Sequence, residues 1–594
     1  MTNSQKTIND IFTSFKCFVI PLYQRHYNWE HEQCKTLFTD IQNDSKHFTG
    51  SIAIKLQSNQ CYNVIDGQQR LTTATLLILA IRDVCNDVIL REAIESKYLF
   101  TDDKSNKVTR LQGGDVNRVV IDRLIRSSKL DDNDKQTNAY KNYIFFKEKL
   151  KEKDTNINDI FNKLESLRFV VIELFDDQDE HKVFESLNAT GVELRESDLI
   201  RNYIFIKIKG NMVTEVLTHW NEIEKCVNDN NGKELDKFFK HYLSYKFCSS
   251  FDELGNLASM KVYRLNRYKD EEISKPVSDL AIYDNFKYFY KDITNNNVKD
   301  IIFDIVNFAR MYAVITNGTN DVNVAGYNAK VIEKIEYLSF LGQTTTYPLL
   351  FEILLQSKSE SEQNILKSLS FLESYIFRSL IARDGALKSM GVNVIKILKD
   401  CKKNKKSIFQ SIKDNLFQTF PLNKSVEDNF KSENFYKGIV QSKEIFYFFL
   451  RIDNANTSIK RNPNTWNKTI NKETGYTIEH IFPQKEKWSN ENEKLNWCEQ
   501  DNYKFEEIYP IRNSIGNLIP SEQNYKVGDK PLKVKIEKYK EVNSHFKETS
   551  EFISKIEKNG YSLTLITERV NELLEIKFKK EWPDKDFFFD NQKV

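Results

Sequence analysis

The chain is 594 residues long, with 40% apolar and 29% charged residues. Those proportions exclude a disordered or membrane-embedded chain, and the length exceeds what one core of roughly 250–300 residues can organise. Its 87 basic and 85 acidic side chains leave a net charge of +2, so a uniformly basic nucleic-acid coat is excluded and any polyanion surface must be a local groove.

Residues 1–210 read as mixed α/β. Strand-like runs fall at Phe18–Leu22, Gly50–Leu56, Tyr62–Ile65 and Phe169–Leu174, and helical spacing at Leu71–Asp83 and His181–Leu187. Residues 211–450 are mainly helical, with apolar residues at helical spacing in Ile301–Ile315, Val331–Phe340 and Ile365–Ala382. No chemical motif marks this middle region, which reads as a spacer or platform. A polar stretch, Asp453–Lys472, leads into a last domain, 451–594. That domain reads as strand, charged insertion (Glu486–Tyr509), strand, short helix and helical tail. The fold class is therefore α+β multidomain.

The eight cysteines, Cys17, Cys34, Cys61, Cys85, Cys226, Cys248, Cys401 and Cys498, form no C-x-x-C pair. This disfavours a zinc knuckle or a disulfide framework and fits reduced thiols in a cytoplasm. No secretory leader is expected at the start. The apolar run after Thr75 stops at Arg82 and Asp83, too short to span a bilayer, so no membrane partner is expected.

Two stretches carry chemistry near the N-terminus. Cys61–Thr73 reads as a strand ending at Asp66, a tight turn at Gly67, and a helix opening with Gln68, Gln69 and Arg70. Free N–H groups and the dipole at a helix start favour an anion, and Arg70 can fork onto a phosphate. The turn is not a Walker A loop. Upstream, Ile20–Trp29 supplies a second Gln-Arg pair, Gln24 and Arg25, among the aromatics Tyr23, Tyr27 and Trp29. A third segment, Phe184–Leu194, contains Asn188 and reads as a helix end with a glycine stop at Gly191.

The most informative segment is Tyr476–Gln484. Alternating apolar positions suggest a strand that stops at Pro483, with Glu479 and His480 at its end. Neighbours on a strand point to opposite faces. Phosphodiester hydrolysis needs a base, a cation at the phosphate and fixed alignment. His480 suits the base. Glu479 and Asn524 offer hard oxygen ligands for Mg²⁺ or a similar ion. Asn517, in a second strand Ile515–Pro520, suits a hydrogen bond that orients the imidazole, with Asn513 as its competitor. Ser521 suits the N-cap of a short helix holding Gln523 and Asn524.

The motif I-E-H-I-x-P-Q, then G-N-L-I-P and a following Asn, resembles an HNH nuclease of the ββα-metal type. It is similar to the C-terminal half of GmrSD-type, modification-dependent (type IV) restriction enzymes. The motifs I-P-x-Y-Q-R-x-Y-x-W, I-D-G-Q-Q-R-L-T-T and F-x-x-L-N-x-x-G-x-x-L resemble the N-terminal half of the same family. The resemblance implies a ParB/sulfiredoxin-like N-terminal domain that binds and hydrolyses an NTP, whether GTP, UTP or ATP. Gln24, Arg25, Asp66, Gly67, Gln68, Gln69, Arg70 and, more weakly, Asn188 would line its nucleotide or DNA-contact site. It further implies that His480 is the general base, that Glu479 and Asn524 bind Mg²⁺ or Mn²⁺, and that Asn517 supports. The expected role is an NTP-regulated endonuclease, nicking or cleaving modified phage DNA as antiviral defence. Two rivals stay open: a nucleotide-dependent DNA-binding regulator with an inactive nuclease centre, and a toxin-like nuclease cutting RNA, since one ββα site reads backbone more than sequence. The modification read, the NTP preferred and the formation of a homo-oligomer also stay open.

Overall fold

The computed structural model describes residues 2–21, 24, 26–43, 48–58, 60–103, 106–113, 116–153, 155–175, 195–228, 233–249, 282–318, 321–457, 460–461, 463, 466, 476–484, 509–521, 530–541 and 546–589. The chain divides into two compact units. One comprises Met1–Glu224, Asp229–Asp236 and Met260–Val306; the other comprises Lys225–Asn228, Lys237–Ser259 and Asn307–Val594. The helical stretch read as a separate middle is thus split between them, most of it belonging with the C-terminal region.

The first unit is built on a six-stranded mixed sheet. In chain order its strands are β1 (Thr2–Thr7), β2 (Cys17–Val19), β3 (Phe48–Ser58), β4 (Cys61–Asp66), β7 (Leu111–Gln112) and β8 (Arg168–Leu174); β5 (Phe100–Asp103) and β6 (Asn106–Thr109) form a separate hairpin. The order across the sheet is β1-β8-β3-β4-β2-β7. The four strands expected from sequence are β2, β3, β4 and β8. The run Phe18–Leu22 ends early at Val19 because Pro21 carries no N–H for the ladder. β1 escapes a pattern search because its sequence, TNSQKT, is polar throughout. It is an edge strand, held by its antiparallel register with β8, where one side needs no apolar partner. The helix expected over His181–Leu187 lies outside the described residues.

The parallel register of β2 with β4 sets Cys17 opposite Cys61, and the two are joined by a disulfide with their Cα atoms 4.5 Å apart. This corrects the expectation of reduced thiols throughout. A sequence separation of 44 carries no sign of such a neighbour, and only strand pairing creates it.

From the end of β4 the chain enters helix Gln68–Val84, buried along nearly its whole length. Three threonines inside it keep their hydroxyls satisfied by bonding back one turn: Thr72 to Gln68 O at 2.6 Å, Thr73 to Gln69 O at 2.8 Å, Thr75 to Leu71 O at 2.9 Å. That lets a polar side chain pass through a core at little cost.

Among the described residues the second unit is helical apart from a two-stranded antiparallel ribbon, β9 (Thr477–His480) with β10 (Leu518–Ser521). The helical spacings read from sequence fall inside Val298–Asn317, Ala329–Phe340 and Glu362–Ala382. Helix Ser442–Asn456, which leads toward the ribbon, is anchored by a buried charge cluster. Glu373 accepts from Arg451 at 2.6 Å, Lys334 at 2.7 Å and Tyr447 at 2.5 Å. Burial alone would raise the Glu373 pKa, but Arg451 and Lys334 outweigh it and hold the carboxyl at about 2. Trp582, near the end of the described chain, packs on Phe377 at 4.6 Å and Phe448 at 5.6 Å.

One pH effect follows from this helical packing. His241 lies between Tyr347 (4.8 Å) and Tyr312 (6.2 Å). Burial, then Lys240 and Lys237, push its pKa down from 6.5 to about 4. Between those values the unfolded chain holds the proton and the folded chain does not, so stability is full above pH 6.5 and declines toward pH 4. His241→Phe is expected to flatten that slope, measured as melting temperature against pH for the two proteins. Parallel curves would refute it.

Candidate functional site

The β9–β10 ribbon sets the C-terminal site. His480 pairs with Leu518 and Glu479 with Ile519, and the strand's alternation sends the two side chains in opposite directions. Glu479 meets helix Leu532–Lys540. Its Oε1 accepts from Lys535 Nζ at 2.6 Å and from Tyr539 OH at 3.2 Å. Lys535 also donates to the His480 carbonyl at 2.7 Å. Both members of the ion pair are buried.

His480 is 8% exposed and lies edge-on to Tyr436, ring centroids 4.8 Å apart. Its Nε2 is buried without a hydrogen-bond partner among the described residues. Burial first, then the positive charges of Lys535, Lys437 and Arg512, push its pKa down to about 3, against an opposing hydrogen-bond contact from Asn513. Asn513 Oδ1 in turn accepts from Gln484 Nε2 at 2.6 Å. The imidazole is therefore neutral at physiological pH.

Asn517 does not orient the imidazole. Its Oδ1 accepts from Phe482 N at 2.8 Å and Tyr561 OH at 2.5 Å; its Nδ2 donates to Phe482 O at 2.9 Å and Arg512 O at 2.7 Å. Two donors and two acceptors are then used up. The side chain ties the segment after β9 to the turn before β10, and Asn513, its competitor, is the asparagine at the ring. Gly516 is needed next to it because a Cβ there would sit 2.7 Å from Ile566 O. Arg569 locks the same turn, donating to Gly516 O at 2.9 Å while forking onto Glu548 at 2.8 Å from each of two nitrogens. The motif G-N-L thus builds the scaffold around the strand end that carries Glu479 and His480.

Asn524 lies outside the described residues, and so does the helix that Ser521 was expected to cap. Among the described residues no three His, Cys, Asp or Glu side chains converge as a metal cage. Mg²⁺ does not require one, since it keeps several waters and is commonly held by one or two carboxylates plus substrate phosphate. Glu479, the residue expected to hold such an ion, is buried against helix Leu532–Lys540. Its Oε1 is taken by the Lys535 ammonium and the Tyr539 hydroxyl, so a cation at this carboxylate would have to share it with the buried lysine.

The N-terminal turn gathers most of its expected residues. Gly67 is left-handed (φ 89°) and opens helix Gln68–Val84 with no side chain capping it. A Cβ there would lie 2.8 Å from Ser51 O, so only glycine fits. Gln24 donates to Ile65 O at 2.8 Å, beside Asp66. Gln69 accepts from Asn28 N at 2.9 Å and Trp29 N at 3.3 Å and donates to His26 O at 3.1 Å. Both glutamines thus spend their amides on the protein's own backbone and fasten the upstream loop to the turn. Gln68 is buried at the helix start. Arg70 donates to Ser51 O at 3.2 Å and lies 4.0 Å from Asp66. These two keep partly exposed side chains at the turn. Tyr27 is a core residue, its hydroxyl 2.7 Å from Thr73. Arg25 and Asn188 lie outside the described residues.

Sequence reading missed Lys535, Tyr539, Tyr436, Lys437 and Arg512. A signal existed for Lys535 and Tyr539, which stand four apart on one helix and so share a face. Nothing in the sequence ties them to Glu479.

The family model described as the N-terminal domain of GmrSD restriction endonuclease matches residues 6–205. The model described as the C-terminal domain of GmrSD restriction endonucleases matches residues 420–576. Together they cover more than half of the chain. The second match begins upstream of Tyr436 and Lys437, so it includes the loop that borders His480. No curated protein matches the chain.

Proposed function

Because the chain belongs to the GmrSD restriction endonuclease family, we propose that it is an NTP-regulated, metal-dependent DNA endonuclease that restricts modified foreign DNA. The observation that carries the cutting centre is the buried, neutral His480 whose Nε2 has no hydrogen-bond partner among the described residues. A neutral imidazole nitrogen can accept a proton from the attacking water, and the negative charge of a bound phosphodiester would raise its basicity from the low value set by burial and by Lys535, Lys437 and Arg512. The Tyr436 ring, edge-on at 4.8 Å, packs against the imidazole. Glu479 and Asn524 would hold Mg²⁺ or Mn²⁺, which supplies charge neutralisation at the phosphate. In this reading the ribbon and the segment after it form an HNH-type ββα-metal site, and the N-terminal sheet is ParB/sulfiredoxin-like. The turn at Gly67 receives the nucleotide's phosphates at the uncapped start of helix Gln68–Val84, with Asp66 and Arg70 at its rim.

The test is cleavage of modified and unmodified phage DNA with Mg²⁺, with and without GTP, UTP or ATP. Modified DNA should be cut, faster with one nucleotide, and Arg70→Ala should lose the nucleotide response. No nicks under any combination would favour a binding-only regulator and reject the proposal. Preferential cutting of RNA would also reject it.

A further inference from the structure

We infer that Lys437 and Arg512 are substrate-binding residues that grip DNA backbone phosphates beside His480. The inference rests on the nuclease reading above and adds two contacts to it.

Lys437 follows Tyr436, whose ring lies against the His480 imidazole at 4.8 Å. The loop holding it is tight: Lys437 N donates to Val440 O at 2.7 Å, and Val440 N to Phe435 O at 3.0 Å. Lys437 itself is left-handed, φ 62°. For a residue with a Cβ this costs roughly 1–2 kcal/mol, and the closing bonds hold it there. Its exposed ammonium touches the face of Tyr436 at 5.2 Å. Among the described residues it meets no carboxylate.

Arg512 precedes Asn513, the asparagine at the imidazole. Its guanidinium stacks on Tyr509 at 4.0 Å and gives one N–H to Tyr509 O at 2.9 Å. It too meets no carboxylate among the described residues. The stack fixes the plane of the fork, so little freedom is lost when it takes a phosphate.

The contrast with neighbouring cations is informative. Lys535 is committed to Glu479 and Arg569 to Glu548. In a chain with nearly as many acids as bases, two cations that meet no carboxylate among the described residues, one beside the ring packed on His480 and one beside Asn513, make a local anion site. The anion it fits is a phosphodiester, since a lysine point charge and a planar fork suit phosphate oxygens.

The full chain carrying His480→Ala, which binds without cutting, is titrated onto a fluorescent DNA duplex by anisotropy over a series of salt concentrations. Each neutralised phosphate adds about 0.9 to the slope of log K against log salt. Lys437→Met and Arg512→Met should each lower the slope by about 0.9, and the double variant by the sum. Lys437→Arg should restore it. Unchanged slopes in the single and double variants would overturn the inference alone. If the His480→Ala parent shows no salt-dependent DNA binding, the nuclease reading falls and the clamp falls with it.

Discussion

Lys535→Met should destabilise the C-terminal unit by about 3–5 kcal/mol, with little of that loss remaining in the double variant Lys535→Met/Glu479→Leu. Lys535 and Glu479 are buried and bonded at 2.6 Å. Removing one partner leaves a charge without water or counter-ion, and that desolvation cost is far larger than the net worth of the pair. Removing both replaces a charged pair with apolar surface, which is close to neutral when packing is kept. Lys535 also donates to the His480 carbonyl, so the double variant should stay below the parent by about 1 kcal/mol for that bond. Urea denaturation of the three proteins measures this. A single variant within 1 kcal/mol of the parent would show that the pair does not anchor the ribbon. The double variant lacks Glu479 and should not cut DNA, which separates the carboxylate's part in the fold from its part in the chemistry.

The Glu479–Lys535 pair also shows where sequence reading stops. Strand alternation placed Glu479 and His480 on opposite faces from the order of apolar residues alone, and the β9–β10 register agrees. What each face meets depends on a helix that follows after the charged insertion, and no local pattern encodes that. Asn517 illustrates a second limit. A motif gives the spacing of an asparagine but not the direction of its amide. Here the amide is taken by Phe482, Arg512 and Tyr561, while Asn513 is at the ring. In the N-terminal unit, Asp66-Gly67-Gln68-Gln69-Arg70 was legible as strand, turn and helix because glycine is obligatory at that φ. That Gln24 and Gln69 would serve backbone carbonyls and amides, rather than a ligand, was not legible, because a glutamine amide looks the same in both uses. The helices of the second unit were legible from spacing, but their division between two units was not, since spacing reports a buried face and not what buries it.

His480→Ala should abolish cutting while leaving the fold as stable as before, and Asn517→Ala should do the reverse. A general base contributes about 10²–10⁴-fold, so nicking of plasmid DNA by His480→Ala should fall at least into that range. Its Nε2 makes no hydrogen bond among the described residues. A buried polar atom left unpaired costs free energy, so losing it removes a penalty and offsets the packing lost against Tyr436. The side chain is kept at a cost to stability, which is what a reacting group requires and a structural one does not. Asn517 is the opposite case. Its four bonds are all internal, and truncation strands two backbone groups of Phe482 and the carbonyl of Arg512 in a dry interior, at about 1–3 kcal/mol for each group left unsatisfied. Asn517→Ala should therefore unfold at lower urea, and the fraction that remains folded should keep much of its cutting rate. If His480→Ala cuts at the parent rate, the imidazole is not the base. If Asn517→Ala stays fully stable and loses activity, that side chain serves the reaction and the division between scaffold and chemistry in this motif is wrong.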